Sequence, residues 1–205
     1  MAGLNYNMDE IYAPFAKLQS LRILLALAAI YDWEIDQMDV VTAFLNPEID
    51  DDVYMQMPDG HPKTGEVCKL RKSLDGLKQA PALWYKHIDE FLPTLRLKRS
   101  QYDPNVYISK TGSRQVILLL YVDDILIFSP SRDKVNALKR LLHEKYRMTD
   151  LGPIKKFLGL VIERDRSRRR ILVQQKPYFD AVLKKHGLSS CNGQWTPQPT
   201  GEQLR

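Results

Sequence analysis

Hydrophobic residues change their spacing several times along this chain, and each change predicts an element. Leu18, Leu21, Leu25 and Ala29 recur at helical intervals and predict a helix over residues 15–31, after an irregular stretch over 3–14. Residues 33–41 read as a strand, since Ile35, Val40 and Val41 are β-branched and the segment is too short for a helix. Two short strands follow over 53–57 and 67–70, separated by a loop marked by Pro58, Gly60 and Pro62. Pro81 suits the first turn of a helix whose apolar face carries Leu83, Trp84, Ile88, Phe91 and Leu92, and Pro93 should kink or end it. Strands are predicted over 106–109, 116–121 and 125–128. A helix follows over 131–146, with Ser131 as N-cap and Val135, Leu138, Leu142 and Tyr146 on one face. Residues 157–163 and 171–174 read as a hairpin with an arginine-rich tip, and a helix over 177–186 stops at Gly187. The tail over 189–205 is polar with several Pro and Gly, which predicts an extended or disordered segment. Strands and helices that mix without strict alternation predict an α+β fold, a sheet with helices packed on one face.

Composition narrows the class without naming a function. The chain has 205 residues, 44% hydrophobic and 27% charged, which suits one globular domain with a real core. A formal charge of +5 permits a polyanionic partner but does not require one. Cys68 and Cys191 offer neither a disulfide framework nor metal-ligand spacing, and read as ordinary thiols of a reducing compartment. No signal-peptide pattern opens the chain. The most apolar stretch, 21–30, contains Arg22 and falls short of the roughly 20 residues a membrane helix needs, so it reads as a core helix.

Chemistry concentrates where the apolar run 116–128 is broken by Asp123 and Asp124. Strands this apolar are normally buried, and an ionised carboxylate there is costly unless paired or bound to a metal. Two adjacent carboxylates repel each other, and a divalent cation relieves that. The competing reading is a water-exposed Asp-Asp hairpin turn, although neither Gly nor Asn accompanies the pair. The pair alone leaves the two readings level. Asp39 lies inside the strand predicted over 33–41, between Met38 and Val40. A strand neighbouring the hairpin would bring Asp39 beside Asp123, giving oxygen donors of the kind Mg²⁺ prefers.

These residues also resemble a known family. Tyr121-Val122-Asp123-Asp124 looks like the YxDD box of reverse transcriptases, and the segment from Leu77 through Gln79, Ala80 and Pro81 to Trp84-Tyr85 is similar to the GLKQAP…WY motif of copia-type LTR retrotransposons. The stretch from Gln37 through Asp39 and Phe44 to Asn46 resembles the QMDVxTAFLNG motif of that branch, and Leu151-Gly152-Pro153 with Phe157-Leu158-Gly159 its LGPxxxFLG segment. The likeness runs over 3–188, leaving 189–205 as a tail. It implies a polymerase palm with partial fingers and the start of a thumb. It also implies an RNA-directed DNA polymerase that uses two Mg²⁺ or Mn²⁺ ions, an RNA template, a DNA primer and dNTPs. Asp39, Asp123 and Asp124 would be catalytic, with the backbone carbonyl of Val40 completing the metal shell. Phe44 would sit under the incoming sugar, and Gly76, Gln79, Ala80 and Pro81 near the template base and nucleotide. Phe157, Leu158 and Gly159 would grip the primer end. Phe44 and the grip residues read equally well as core. Lys78 and Arg168 would meet nucleic acid, together with Lys69, Arg71, Lys72 and the other arginines of the tip, Arg164, Arg166, Arg169 and Arg170. The expected location is cytoplasmic, in the virus-like particle of such an element, or nuclear, with no membrane partner.

The chain departs from the family pattern in ways that bear on activity. Asp75 stands where the motif has Tyr, Pro47 where it has Gly, and Pro93 interrupts a helix the family keeps regular. The chain reads as starting after the fingers segment that holds the triphosphate. These departures predict an assembled metal site with weak or no polymerase activity in isolation. A non-catalytic nucleic-acid-binding remnant is the main alternative. A nucleotide cyclase also carries acidic pairs on a hairpin, but the GLKQAP segment and Phe44 argue against it.

Overall fold

The computed structural model describes residues 11–62, 65–109 and 115–193. Most of the stretch read as irregular and the tail beyond residue 193 lie outside the described residues. Four helices are described: α1 (Leu18–Ile30), α2 (Ala80–Phe91), α3 (Arg132–Lys145) and α4 (Lys176–Lys185). The strands are β1 (Glu34–Val40), β2 (Tyr54–Gln56), β3 (Val67–Lys69), β4 (Leu97–Arg99), β5 (Val106–Ser109), β6 (Ile117–Tyr121), β7 (Asp124–Ser129), β8 (Met148–Pro153), β9 (Lys156–Phe157), β10 (Leu160–Asp165) and β11 (Arg170–Gln174). Two compact units are present. The larger holds the residues up to Ile154 together with Arg164–Ile171, the smaller Lys155–Glu163 and the residues from Leu172 onward.

The larger unit is organised by a six-stranded antiparallel sheet in the order β4-β5-β6-β7-β1-β8. Alternation along β1, β6 and β7 sends Met38, Val40, Leu118, Leu120, Ile125 and Ile127 to one face. There they form one cluster with Trp84, Ile88 and Leu92 of α2 and Val135, Leu138 and Leu142 of α3. Ile35, Ile117, Leu119, Leu126 and Phe128 point the other way and are buried as well. Helix α1 contacts β7 and buries Leu21, Leu24, Leu25 and Ala28, and Phe15 ahead of it meets Tyr121 of the same face with ring centroids 5.7 Å apart. Helices on a single face were the expectation, and the structure corrects it. Both faces of these strands are apolar, and each needs a covering layer.

Other differences have local causes. Strands β4 and β8 lie at the two sheet edges and are largely polar, so pairing rather than hydrophobic pattern creates them. A bulge opposite Gln37 and Met38 lets β8 carry Gly152 and Pro153 along β1. The single strand expected over 157–163 is instead two, β9 and β10. Phe157 pairs with Leu160, and Leu158 (φ +50°) and Gly159 (φ +75°) form the two-residue turn between them. Pro93 behaves as expected: α2 ends at Phe91 and Pro93 sits in a 3-10 turn over Leu92–Leu95. Ser131 occupies the N-cap of α3 without a side-chain cap, and its N–H donates to the Ser129 hydroxyl at 3.2 Å.

Charged side chains tie these layers together. Asp36 points to the α3 face, where it is buried and pairs with Arg132 (2.6 Å) and Lys139. Lys139 also reaches Asp150 of β8 at 2.7 Å, and Arg132 reaches Glu34. Two arginines of the β10–β11 tip are engaged in the same way. Arg164 donates to the carbonyls of Trp33 (2.5 Å) and Ala28 (3.3 Å) and to Asp32 (2.7 Å). Arg166 donates to Asp32 (2.9 Å) and Glu34 (2.7 Å). Helix α1 has no basic residue in its last turn, so Arg164 supplies the positive charge and donors that its C-terminal end lacks. We expect Arg164→Ala to cost about 2 kcal/mol, the price of leaving partly buried carbonyls without their charged donor. Urea unfolding would register this as a lower midpoint.

Candidate active site

Strand β1 lies directly against β7, and its register makes Asp39 the cross-strand partner of Asp124. Paired residues share a sheet face, so these two carboxylates emerge side by side. Asp123 sits in the connecting turn, where its carbonyl accepts the Val40 N–H at 2.9 Å. Tyr121 pairs with Asp124, which leaves Val122 and Asp123 as a two-residue hairpin loop. Val122 adopts φ +56°, a conformation costly for a β-branched residue. Two hydrogen bonds hold the turn in that shape. One is the Val40 N–H just described. The other comes from the buried indole of Trp84, whose Nε1–H donates to the Val122 carbonyl at 2.7 Å.

Electrostatics at the three acids is unbalanced. Burial raises the Asp39 carboxyl above its ordinary value, and the charges of Asp123 and Asp124 raise it further. Burial raises Asp124 as well, opposed by the amide of Gln37, which donates to it at 2.9 Å, and reinforced by Asp123. Among the described residues, no basic side chain pairs with Asp39, Asp123 or Asp124. Nor is any group of three or more His, Cys, Asp or Glu arranged among them as a ready metal-holding set. What exists is a pair across two strands with a third acid on the adjoining turn, all hard oxygen donors without a counter-charge. Such a donor set suits divalent cations that also take oxygen from substrate phosphates and water.

Of the other residues singled out from sequence, Pro81 adjoins this turn. Pro81 and Trp84 of α2 line a cavity of about 20 Å³ together with Val122 and Leu120. Pro81 stands in the first turn of α2, and Ala80 is buried at its start. Gln79 is buried too, and neither atom of its amide has a partner. Gly76 is exposed at φ +93°, where a side chain would be strained. Phe44 is in a 3-10 turn over Ala43–Leu45, partly exposed and packed against the core cluster. Lys78 is exposed. Phe157, Leu158 and Gly159 form the β9–β10 turn of the smaller unit, with Phe157 buried. Among the basic residues, Arg164 and Arg166 are engaged by protein acids, and Lys69 pairs with Asp52. Arg168 is 77% exposed and only loosely paired with Asp165, at 3.7 Å.

Trp84 and Gln37 stood in the sequence only as motif members, Trp84 also as part of an apolar helix face, with no role in the site. Gln37 is two residues before Asp39 on a strand and therefore on the same face, which strand periodicity alone could have revealed. Trp84→Phe keeps the packing but removes the donor to Val122. Its expected cost is about 1 kcal/mol in stability. Altered amide exchange of Val122 and Asp123, with the rest of the sheet unchanged, would show that the loss is local.

Residues 1–200 match the family described as reverse transcriptase (RNA-dependent DNA polymerase). The chain is 39% identical over 195 residues to the retrovirus-related Pol polyprotein from transposon TNT 1-94 of Nicotiana tabacum, covering 93% of this chain and 15% of that protein. It is 34% identical over 205 residues to the corresponding polyprotein from transposon RE1 of Arabidopsis thaliana, covering 98% and 14%. For transposon RE2 of the same plant the identity is 32% over 205 residues, again covering 98% and 14%. The chain thus spans about one seventh of the length of these relatives.

Proposed function

Since the chain belongs to the reverse transcriptase (RNA-dependent DNA polymerase) family, we propose that it is the polymerase portion of a copia-type retrotransposon Pol protein. Its reaction is RNA-templated extension of a DNA primer by nucleotidyl transfer from dNTPs. The larger unit serves as the palm with part of the fingers, followed by the start of a thumb. One observation carries the reading: the β1–β7 register that sets Asp39 against Asp124, with Asp123 on the adjoining turn.

In this reading Asp39 and Asp123 ligate Mg²⁺ or Mn²⁺, Asp124 contributes negative charge, and the Val40 carbonyl adds a further oxygen. The chemistry such a pair of ions supplies is activation of the primer 3′-hydroxyl and neutralisation of charge on the departing pyrophosphate. The protein's own contribution is positioning. Val122 and Asp123 are held rigid by Trp84 and Val40, so the carboxylate of Asp123 is presented at a fixed place. Gln37 orients Asp124 through its amide. Phe44 offers a ring against the nucleotide sugar, and Gly76, Gln79, Ala80 and Pro81 meet the base pair being formed. The unpartnered amide of Gln79 fits that role. Phe157, Leu158 and Gly159 contact the primer end, and Lys78 and Arg168 meet backbone phosphates. Affinity carried by those two should fall with salt.

A second reading, a nucleic-acid-binding protein of the same fold without catalysis, has an observation in its favour. The three acids are not gathered as a ready metal set, and exposed Asp75 adds negative charge beside Gly76. Primer extension on an RNA template with Mg²⁺ separates the two readings, with Asp123→Asn as control. Incorporation that disappears in Asp123→Asn supports the polymerase. Primer–template binding without incorporation supports the second reading.

A further inference from the structure

An open groove of about 610 Å³ lies between α3 and the segment that follows α2. Its walls are mostly apolar: Pro93 and Leu95 of the 3-10 turn, Leu97 of β4, Val116, and Leu138 and Leu141 of α3. Leu141 leaves 40% of its surface open there. Arg96, Lys98 and Lys134 stand on the same lining and are exposed. None of the three forms an ion pair among the described residues. Scattered surface hydrophobics need no explanation, but a contiguous apolar trough edged with unmatched positive charge does.

We propose that this groove docks an amphipathic helix of a protein partner, one that presents large apolar side chains flanked by Asp and Glu. The volume falls in the range of sites that enclose a compact ligand, roughly 300–1,000 Å³. Helices α2 and α3 already lie on this sheet face, and a helix seated beside α3, over the 3-10 turn and β4, extends the same layer. Acidic flanks meet Arg96, Lys98 and Lys134, which have no ion-pair partner among the described residues. A nucleic acid strand fits less well. Its phosphates would use the three cations, but among the described residues no aromatic lines the groove to stack a base, and the apolar floor would face a polar backbone. A second copy of this chain also fits poorly. The exposed apolar residues of α1, Ile23 and Ile30, lie on a helix whose only charge is Arg22, of the same sign as the groove.

The test uses the full chain and a fluorescein-labelled amphipathic peptide with Leu at i, i+4 and i+7 and Glu beside them, followed by anisotropy. Saturable binding is expected, weakened about tenfold or more by Leu141→Glu, and likewise by Lys98→Glu with Lys134→Glu. A peptide with Lys in place of Glu should recover binding to the double charge reversal. These positions are exposed, so thermal melts should stay near those of the parent chain. If Leu141→Glu does unfold the protein, the charge-reversal pair carries the test alone. The proposal is overturned by the absence of saturable binding, or by binding indifferent to both changes. It is also overturned if a single-stranded oligonucleotide binds and is lost with the same charge reversals while the peptide is not bound. None of these outcomes depends on polymerase activity.

Discussion

Lys139→Ala should destabilise this protein by about 3–5 kcal/mol, the usual cost of stripping the partner from a buried charge. The side chain of Asp36 is only 2% exposed, and Lys139 is one of its two cationic partners. The other, Arg132, is shared with Glu34 and is itself 41% exposed, so it cannot neutralise Asp36 fully. Losing Lys139 also releases Asp150 on β8. For a chain of this length the change corresponds to a fall of roughly 6–20 °C in melting temperature. Replacing both members with apolar residues, Asp36→Leu with Lys139→Met, should recover most of that loss, since no uncompensated charge remains. If Lys139→Ala melts within a degree or two of the parent chain, Asp36 is reached by water or a cation and the buried-pair description fails.

Asp39→Asn is expected to move stability and function in opposite directions. Burial and the charges of Asp123 and Asp124 raise the Asp39 carboxyl above its unfolded value, so ionising it in the fold is unfavourable. The folded state then binds more protons than the unfolded one between the ordinary value near 3.9 and the raised one. Without divalent cations, stability therefore falls as pH rises through that window and stays lower above it. Removing the charge abolishes the penalty. At neutral pH the metal-free melting temperature of Asp39→Asn should rise by about 1–3 °C, a gain kept below about 1 kcal/mol by solvent screening at a partly exposed site. On the proposed reading of Asp39 as a metal ligand, the same variant should also lose any stabilisation of the parent chain by Mg²⁺. On the same reading, any primer extension should drop by two orders of magnitude or more, since the lost carboxylate would forfeit several kcal/mol of charge stabilisation. A metal-free Asp39→Asn that melts lower than the parent would show that Asp39 has a structural partner instead.

These two predictions draw on parts of the molecule that were unequally legible in the sequence. The apolar run on either side of Asp123 and Asp124 announced a central hairpin, and β-branched residues announced β1. Helical spacing announced α1, α2 and α3 to within a few residues. Pattern could not reveal β4 or β8, because edge strands with one partner need not be apolar, and β8 contains Gly152 and Pro153. It also missed the second covered face of the sheet, since α1 looks alike whichever side it packs on. Asp39 became a candidate by supposing that β1 neighbours the hairpin and by its place in a motif resemblance, and its cross-strand partner proves to be Asp124. Leu158 gave no sign of a turn because its positive φ is imposed by the tight β9–β10 connection rather than by residue preference. The arginine-rich tip read as one basic surface. Folding distinguishes Arg164 and Arg166, which bind Asp32, Glu34 and backbone carbonyls, from Arg168, which stays in solvent.

Crystals of the full chain soaked in Mn²⁺, with anomalous scattering recorded for the metal, address the central claim most directly. The account predicts an anomalous peak about 2 Å from carboxylate oxygens of both Asp39 and Asp123, absent from crystals of Asp39→Asn. Manganese found only elsewhere, with those two carboxylates bonded to basic side chains, would contradict it.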